Sequence, residues 1–158
     1  MRIIDKTGPL SNHADRDHCI QYMVAVPLIH GRLTAADYAD DVAADPRIDA
    51  LRALTTVREN PGFTRDYFHP DKRYIGNSVQ VFFKDGSATA EVAVDYPVGH
   101  RRRRAEGVPL LLAKAGAAWE GRLPGRQAEA LSEAIREPDR LDAMGVAEFL
   151  ALFAMDGS

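Results

Sequence analysis

Two groups of side chains in this 158-residue sequence are suited to chemistry. The first is Asp15, His18 and Tyr22, which stand at positions i, i+3 and i+7 of a helical pattern. That spacing would place them on one narrow face of a helix. An imidazole one turn from a phenol can transfer protons, but a His and a Tyr hydrogen-bonded inside a core give the same pattern. The residues alone favour the structural interpretation.

The second group is a run of ionisable side chains that follows Gly99, namely His100, Arg101, Arg102, Arg103 and Arg104. A guanidinium matches a carboxylate or phosphate with two parallel donors, so this run could hold a polycarboxylate or a phosphate. It could equally be a solvated loop whose charges are neutralised by neighbouring acids. RNA contact is a weaker interpretation, because aromatic residues do not alternate with the arginines.

Other kinds of site have no support in the sequence. The single cysteine, Cys19, excludes an intramolecular disulfide and an all-cysteine metal site, and its apolar neighbours predict a buried packing residue. No histidine pair has zinc-ligand spacing, and there is no nucleophile elbow or glycine-rich phosphate loop. We therefore expect no metal site and no cofactor. Such cysteine usage fits a reducing cytoplasm.

Composition bounds the class of protein. Twenty Lys and Arg face 23 Asp and Glu, for a formal charge of −3, which is not the pattern of a general nucleic-acid or lipid-surface binder. The longest apolar run, residues 20–29, is interrupted by Gln21, so no membrane span or signal peptide is expected. With 46% hydrophobic residues, we expect one cytoplasmic domain over residues 1–158 and neither nucleic acid nor membrane as a partner.

The first part of the chain has a helical pattern. We predict a helix over residues 14–30, capped by Asn12 and ended by Gly31, and its apolar residues all round indicate burial. A variant capping box at residues 34–37 opens a second helix. An Asp–Pro pair begins a third helix over residues 45–54.

The remainder mixes strands and helices. We predict a short strand at residues 55–59, a packed-down loop at 60–74, and a hairpin of strands 78–83 and 91–96 around a turn at 84–87, because apolar and polar residues alternate on both sides of that turn. Helical patterns follow at residues 108–123, 125–135 and 145–154. Helices flanking a small, mostly antiparallel sheet define an α+β fold.

Two long motifs resemble the C-terminal (lid) domain of the MmgE/PrpD family. They are ADRDHCIQYMVA at residues 14–25 and YPVGHRRRR at residues 96–104. Further similar stretches lie at residues 3–10, 31–38, 45–52 and 82–87, and the likeness is looser after about residue 107. The resemblance implies a hydro-lyase that dehydrates 2-methylcitrate to 2-methyl-cis-aconitate in propionate breakdown, without an iron–sulfur cluster or another cofactor.

The resemblance also implies partners. Family members place a larger all-helical domain before this one, and their active site lies where the two domains meet. We therefore expect that the chain lacks that domain and its own first strand, and that it is inactive alone. A sheet without its first strand exposes an unpaired edge, so we expect self-association into a homo-oligomer.

Carried over onto this sequence, the resemblance makes Tyr22 a catalytic candidate and His18 a weaker one. For the tricarboxylate substrate, the binding candidates are Arg16 and the run of His100, Arg101, Arg102, Arg103 and Arg104. Two other hypotheses remain open. The chain could be a non-catalytic anion-binding or interaction module of the same family, or a degraded reading frame without a function of its own.

Overall fold

The computed structural model describes residues 4–154. The chain falls into two compact units, unit 1 (Met1–Asn60) and unit 2 (Pro61–Ser158). The described residues are mostly helical and include a two-stranded antiparallel sheet. The prediction of an α+β fold with a small antiparallel sheet is therefore confirmed. No helix within residues 4–154 is long and apolar enough to cross a membrane.

The first predicted helix is two helices, α1 (His13–Asp17) and α2 (Ile20–His30). The backbone is extended at Cys19, with φ −122° and ψ 105°. There the Ile20 amide donates to the Ile4 carbonyl at 2.8 Å, and the Cys19 thiol donates to the Lys6 carbonyl at 3.5 Å. The N-terminal segment thus binds where the helix breaks. Cys19 is fully buried, as predicted.

The predicted ends of the first helical segment, at Asn12 and Gly31, are confirmed. Both ends depend on bonds between residues close in the sequence. Asn12 Oδ1 accepts from the Asp15 amide at 2.9 Å. Gly31, at φ 70°, ends α2 in the left-handed conformation that glycine adopts most readily. Pro27 lies inside α2, and its carbonyl accepts from the Gly31 amide.

The capping box is present but opens a shorter element than expected. The Thr34 amide donates to Asp37 Oδ2 at 2.7 Å, and the element that follows is a 3₁₀ helix, Ala35–Tyr38. Then come α3 (Asp40–Ala43) and α4 (Pro46–Leu54). The predicted start of α4 is confirmed by a cap in which Asp45 accepts from the Arg47 amide.

The core of unit 1 lies where α2 packs on α4. Burial of a large apolar side chain stabilises a fold by about 1.5–3 kcal/mol. The fully or almost fully buried apolar residues are Cys19, Tyr22, Ala25, Val26 and Ile48. Three polar residues, Arg16, Gln21 and Asp37, are buried beside them, and such groups need hydrogen-bond partners.

The end of unit 1 and the start of unit 2 both differ from the prediction. Residues 55–59 are not a strand, because the Thr55 amide and hydroxyl bond to carbonyls of Arg52 and Leu51 and keep the segment on the end of α4. The predicted loop at 60–74 contains a helix, α5 (Pro61–Phe68). Proline favours the first helical position, a signal that the aromatic content of this segment obscured.

The predicted hairpin is confirmed with shorter strands. β1 (Asn77–Val79) pairs antiparallel with β2 (Val92–Val94), and Val79 lies opposite Val92. Beyond β1 the Val81 amide donates to the Thr89 hydroxyl at 3.1 Å. Backbone pairing nevertheless continues towards the turn, because the Thr89 amide donates to the Val81 carbonyl at 2.9 Å and Phe82 forms an isolated bridge with Ala88.

The last part of unit 2 is helical. A 3₁₀ turn at Arg101–Arg103 leads into α6 (Arg104–Trp119), which begins four residues earlier than predicted. It packs on α7 (Gly125–Arg136), whose Leu131 and Ala134 are buried. The chain continues with α8 (Pro138–Ala143), which the pattern missed, and α9 (Val146–Ala151). The end of the last predicted helix, residue 154, is the final described residue.

Gly107 tests the packing of α6. A Cβ atom at this buried position would lie 2.5 Å from the Val98 carbonyl oxygen. We predict that Gly107→Ala lowers the free energy of unfolding in urea by about 1–3 kcal/mol, the usual cost of overpacking. The control is Gly116→Ala in the same helix, where nothing lies within 4 Å and where alanine should stabilise by about 0.5–1 kcal/mol. Equal effects at both positions would contradict this packing.

Asp45 makes stability depend on pH. Hydrogen bonds from the Arg47 side chain and amide lower the pKa of Asp45 from 3.8 to about 2. The stabilisation is therefore complete above pH 3.8 and is lost as the pH falls towards 2. Asp45→Asn keeps an acceptor for the Arg47 amide but removes the charge. We predict a flatter dependence of the unfolding free energy on pH in this window for the variant, measured by denaturation at a series of pH values; parallel curves would refute it.

Candidate functional site

A cavity of about 730 Å³ lies in unit 1 beside the N-terminal segment, α2 and α4. This volume is within the range of small-molecule sites. Its ionisable lining residues are Lys6, Arg16, Tyr22, Asp49 and Arg52. Three cations against one carboxylate favour an anionic ligand. The cavity also brings together Tyr22 and Arg16, two of the residues selected from the sequence.

Tyr22 lies on the cavity side of α2 and is almost completely buried. Its hydroxyl donates to the Asp37 carbonyl at 2.6 Å, and its ring stacks on Tyr38 with centroids 5.9 Å apart. Burial raises the pKa of Tyr22, and the charge of Arg16 opposes that rise in part. Tyr22 is therefore a neutral phenol at physiological pH, so it can donate a proton but is not a base.

Arg16 is a buried cation in the cavity wall, with a side chain only 6% exposed. Nη1 donates to the Tyr38 carbonyl at 2.6 Å, and Nη2 pairs with Asp40 at 2.7 Å. Asp40 itself is 88% exposed. The Arg16 Nε is buried without a hydrogen-bond partner. A buried donor of a charged group that lacks an acceptor destabilises the fold. The cavity wall therefore contains a polar group whose hydrogen-bonding capacity is not fully used.

Arg52 and Lys6 are cavity residues that sequence reasoning missed. Arg52 is 11% exposed, donates through Nη2 to the Gly8 carbonyl at 2.8 Å and pairs with Asp49. Its Nε is also buried and unpaired. Arg52 was missed because an Asp–Arg pair at i, i+3 is typical of a solvated helix face. In addition, Gly8, whose carbonyl accepts from Arg52, is 44 residues away in the sequence. Lys6 pairs with Asp15 at 3.1 Å and lies in the similar stretch at residues 3–10, which was not connected with a site.

His18 is not brought to Tyr22, and the prediction that the first group shares one helix face is wrong. His18 lies at the break after α1, where its Nδ1 bonds to the Ala14 carbonyl at 3.1 Å. Its side chain is 56% exposed and does not line the cavity. Asp15 is paired with Lys6 instead. The cause is the extended backbone at Cys19, which separates α1 from α2, so these three residues do not lie on one continuous helix.

In unit 2, the residues His100–Arg104 form what we call the arginine turn. His100 Nδ1 accepts from the Arg102 amide at 3.2 Å, so its neutral ring carries the proton on Nε2. The His100 ring lies 4.5 Å from that of Tyr96. The Arg102 guanidinium lies 5.1 Å from the centre of the Tyr96 ring and donates to the Asp71 carbonyl. Both side chains therefore help to hold the turn in place.

The four arginines of this turn divide into two kinds. Like Arg102, Arg103 is held by the protein: it donates to both carboxylate oxygens of Glu106, at 3.1 and 2.7 Å, and to the Tyr96 carbonyl. The Glu106 bond raises the pKa of Arg103. Arg101 and Arg104 are exposed, and their side chains form no hydrogen bond or ion pair with any residue in 4–154.

These arrangements can bind an anion and donate hydrogen bonds to it. Within residues 4–154 no group of three or more His, Cys, Asp or Glu is placed to hold a metal ion. Neither the cavity nor the arginine turn supplies an unpaired carboxylate that could act as a base: Asp49 is paired with Arg52, and Glu106 with Arg103. The described residues thus offer binding and acid groups.

Three curated proteins similar to this chain are named 2-methylcitrate dehydratase. A 2-methylcitrate dehydratase of Cupriavidus necator is 57% identical over 155 residues, covering 98% of this chain and 32% of its own length. That of Salmonella typhimurium is 54% identical with the same coverages. A mitochondrial one of Yarrowia lipolytica is 53% identical over 97% of this chain and 29% of its own length. The chain spans about a third of these relatives.

The family match covers both regions discussed above. The sequence model described as the MmgE/PrpD C-terminal domain matches residues 1–139. That span contains the whole unit 1 cavity and the whole arginine turn. The two motifs that carried the resemblance in the sequence also fall within it. The chain belongs to the MmgE/PrpD family.

Proposed function

We propose that this chain supplies part of the substrate site of a hydro-lyase that dehydrates 2-methylcitrate to 2-methyl-cis-aconitate. The proposal rests on relatives named 2-methylcitrate dehydratase, which match this chain at 53–57% identity over nearly its whole length. The cavity of unit 1, which has the cations a tricarboxylate needs, supports the same proposal. The reaction would belong to propionate catabolism through the methylcitrate cycle, in the cytoplasm.

The reaction sets the tasks of the site. A base removes the proton from the carbon next to a carboxylate, and the electrons of that C–H bond form the C=C bond. The C–O bond of the alcohol breaks, and an acid protonates the departing hydroxide to water. Cations hold the carboxylates and stabilise charge that develops on them. One substrate therefore requires a base, an acid and several cationic groups.

We assign these tasks as far as the residues allow. Tyr22 is the proton donor, because it lines the cavity and burial keeps its phenol neutral. To act, its hydroxyl turns from the Asp37 carbonyl to the substrate. Arg16, Arg52 and Lys6 bind carboxylate at the cavity wall. His18 is a weaker assignment, since its Nδ1 is occupied by the Ala14 carbonyl. We assign the base to the part of the enzyme that corresponds to the remaining length of the relatives, and propose that all-helical part and a second copy of the chain as its partners.

A second function has an observation in its favour. The cationic groups of the cavity and of the arginine turn lie in this chain, whereas an unpaired carboxylate base is missing from both places. A non-catalytic anion-binding or interaction module would have this composition. It differs from the first proposal in binding citrate-like anions without turning over 2-methylcitrate in any context.

A chimaera tests the proposed function. This chain replaces the matching segment of the Cupriavidus necator relative, and formation of the unsaturated tricarboxylate is followed by its absorbance. We expect conversion of 2-methylcitrate at a rate comparable to that of the unaltered relative. A folded chimaera that binds citrate but converts no 2-methylcitrate would support the anion-binding module. Conversion of other substrates only would refute the substrate assignment.

Tyr22 is tested in the same chimaera. We predict that Tyr22→Phe lowers kcat by about 10²-fold or more, the usual contribution of a positioned acid, with a smaller change in KM. The control is Tyr38→Phe, because Tyr38 stacks on Tyr22 but does not line the cavity. If both variants lose only stability and keep kcat, Tyr22 is a core residue held by Asp37 and not the acid.

A further inference from the structure

We infer that Arg101 and Arg104 form an anion-binding face of unit 2 that takes carboxylate groups, while the other members of the arginine turn hold that face in place. The choice of a carboxylate ligand rests on the proposed function. The division of labour within the turn rests on the contacts of its side chains. We call the surface made by these two arginines the free-arginine face.

The backbone puts the two arginines one turn apart. Arg101–Arg103 is a 3₁₀ turn and Arg104 is the first residue of α6. Residues at i and i+3 are neighbours on a helical surface, and Arg101 and Arg104 have this spacing. Arg102 and Arg103, which stand between them, each meet protein groups that hold them.

Charge also distinguishes Arg101 and Arg104 from the other two arginines. Glu106 neutralises the charge of Arg103, and the Arg102 guanidinium faces the Tyr96 ring and the Asp71 carbonyl. Among residues 4–154 no acid pairs with Arg101 or Arg104. Two like charges spaced i, i+3 repel each other. An anion placed between them would relieve that repulsion, and two planar guanidinium groups suit a carboxylate best.

The support beneath the free-arginine face is fixed. His100 caps the turn through its Nδ1 atom, and its ring packs on Tyr96. The Tyr96 ring in turn meets Tyr74 edge-on, with centroids 4.7 Å apart, and its hydroxyl donates to the Lys72 carbonyl at 3.0 Å. Because the backbone is held in advance, an anion need order only the two arginine side chains, which lowers the cost of binding.

Titration with citrate tests the free-arginine face on the full 158-residue chain. Amide NMR signals of residues 101–106 report binding at this face separately from the unit 1 cavity. We expect saturable shifts in the unaltered chain and at least about a tenfold loss of affinity in the double variant Arg101→Gln/Arg104→Gln, as removal of charge-assisted hydrogen bonds predicts. Urea denaturation should show unchanged stability, since neither side chain bonds to the described protein.

The matched control is Arg126→Gln/Arg136→Gln, which removes two exposed arginines of α7 and changes the net charge equally. We expect less than about a twofold change in affinity, the size of a screened long-range effect. An equal loss in both double variants, or no saturable shifts at residues 101–106, would overturn the inference. Arg103→Gln provides the opposite control, because loss of its Glu106 and Tyr96 bonds should lower stability.

The two proposals fail separately. An active chimaera together with unshifted signals at residues 101–106 would overturn the free-arginine face and leave the proposed function standing. An inactive, folded chimaera together with saturable citrate binding at this face would overturn the proposed reaction and leave the anion site standing.

Discussion

The candidate site of unit 1 depends on the carboxylate of Asp37. It accepts hydrogen bonds from the Thr34 amide, the Thr34 hydroxyl and the Arg32 guanidinium, at 2.7, 2.7 and 2.5 Å. The Thr34 bonds lower the pKa of Asp37, with a smaller contribution from Arg32, so this buried group remains ionised. These bonds close the 3₁₀ helix Ala35–Tyr38 and fix the direction of its carbonyls. Those carbonyls are the acceptors that the site residues use.

Two site residues take their positions from this one turn. The Tyr22 hydroxyl donates to the Asp37 carbonyl and Arg16 Nη1 to the Tyr38 carbonyl, both at 2.6 Å. A buried donor without such a partner would cost about 1–3 kcal/mol. The hydrogen bond that satisfies the Tyr22 phenol in the core directs its proton to the Asp37 carbonyl, so the phenol must break this bond before it can donate a proton to a substrate.

Local bonds were predictable from the sequence, and bonds across the chain were not. The caps at Asn12 and Asp45 and the stop at Gly31 each involve neighbours within four residues, and all three are confirmed. The break at Cys19 depends on bonds that the Ile20 amide and the Cys19 thiol donate to the Ile4 and Lys6 carbonyls, which no local pattern reveals. For this reason Tyr22 and Arg16 were found by motif, but their separation from His18 was not expected. The burial of Arg52 beneath Gly8 was missed for the same reason.

The arginine turn shows a different limit. Four identical side chains in succession carry no signal of which ones face the protein, although Glu106 at i+3 from Arg103 could have marked that arginine as paired. The aromatic residue that Arg102 faces, Tyr96, was visible in the motif, but the Asp71 carbonyl that it meets lies 31 residues away. The position of each arginine in the turn, and not the composition of the run, determines whether the protein holds its side chain.

An acidic chain can keep positive sites in two physically different ways, and each unit uses one of them. In unit 1 the cations have acid partners, but Arg16 and Arg52 are 6% and 11% exposed while Asp40 and Asp49 are 88% and 71% exposed. Water screens the exposed carboxylates more than the buried guanidinium groups, so the cavity side remains positive. In the described part of unit 2, no acid pairs with Arg101 or Arg104. The formal charge of −3 therefore excludes a broad basic surface but not a local anion site, because burial and pairing decide which charges a ligand meets.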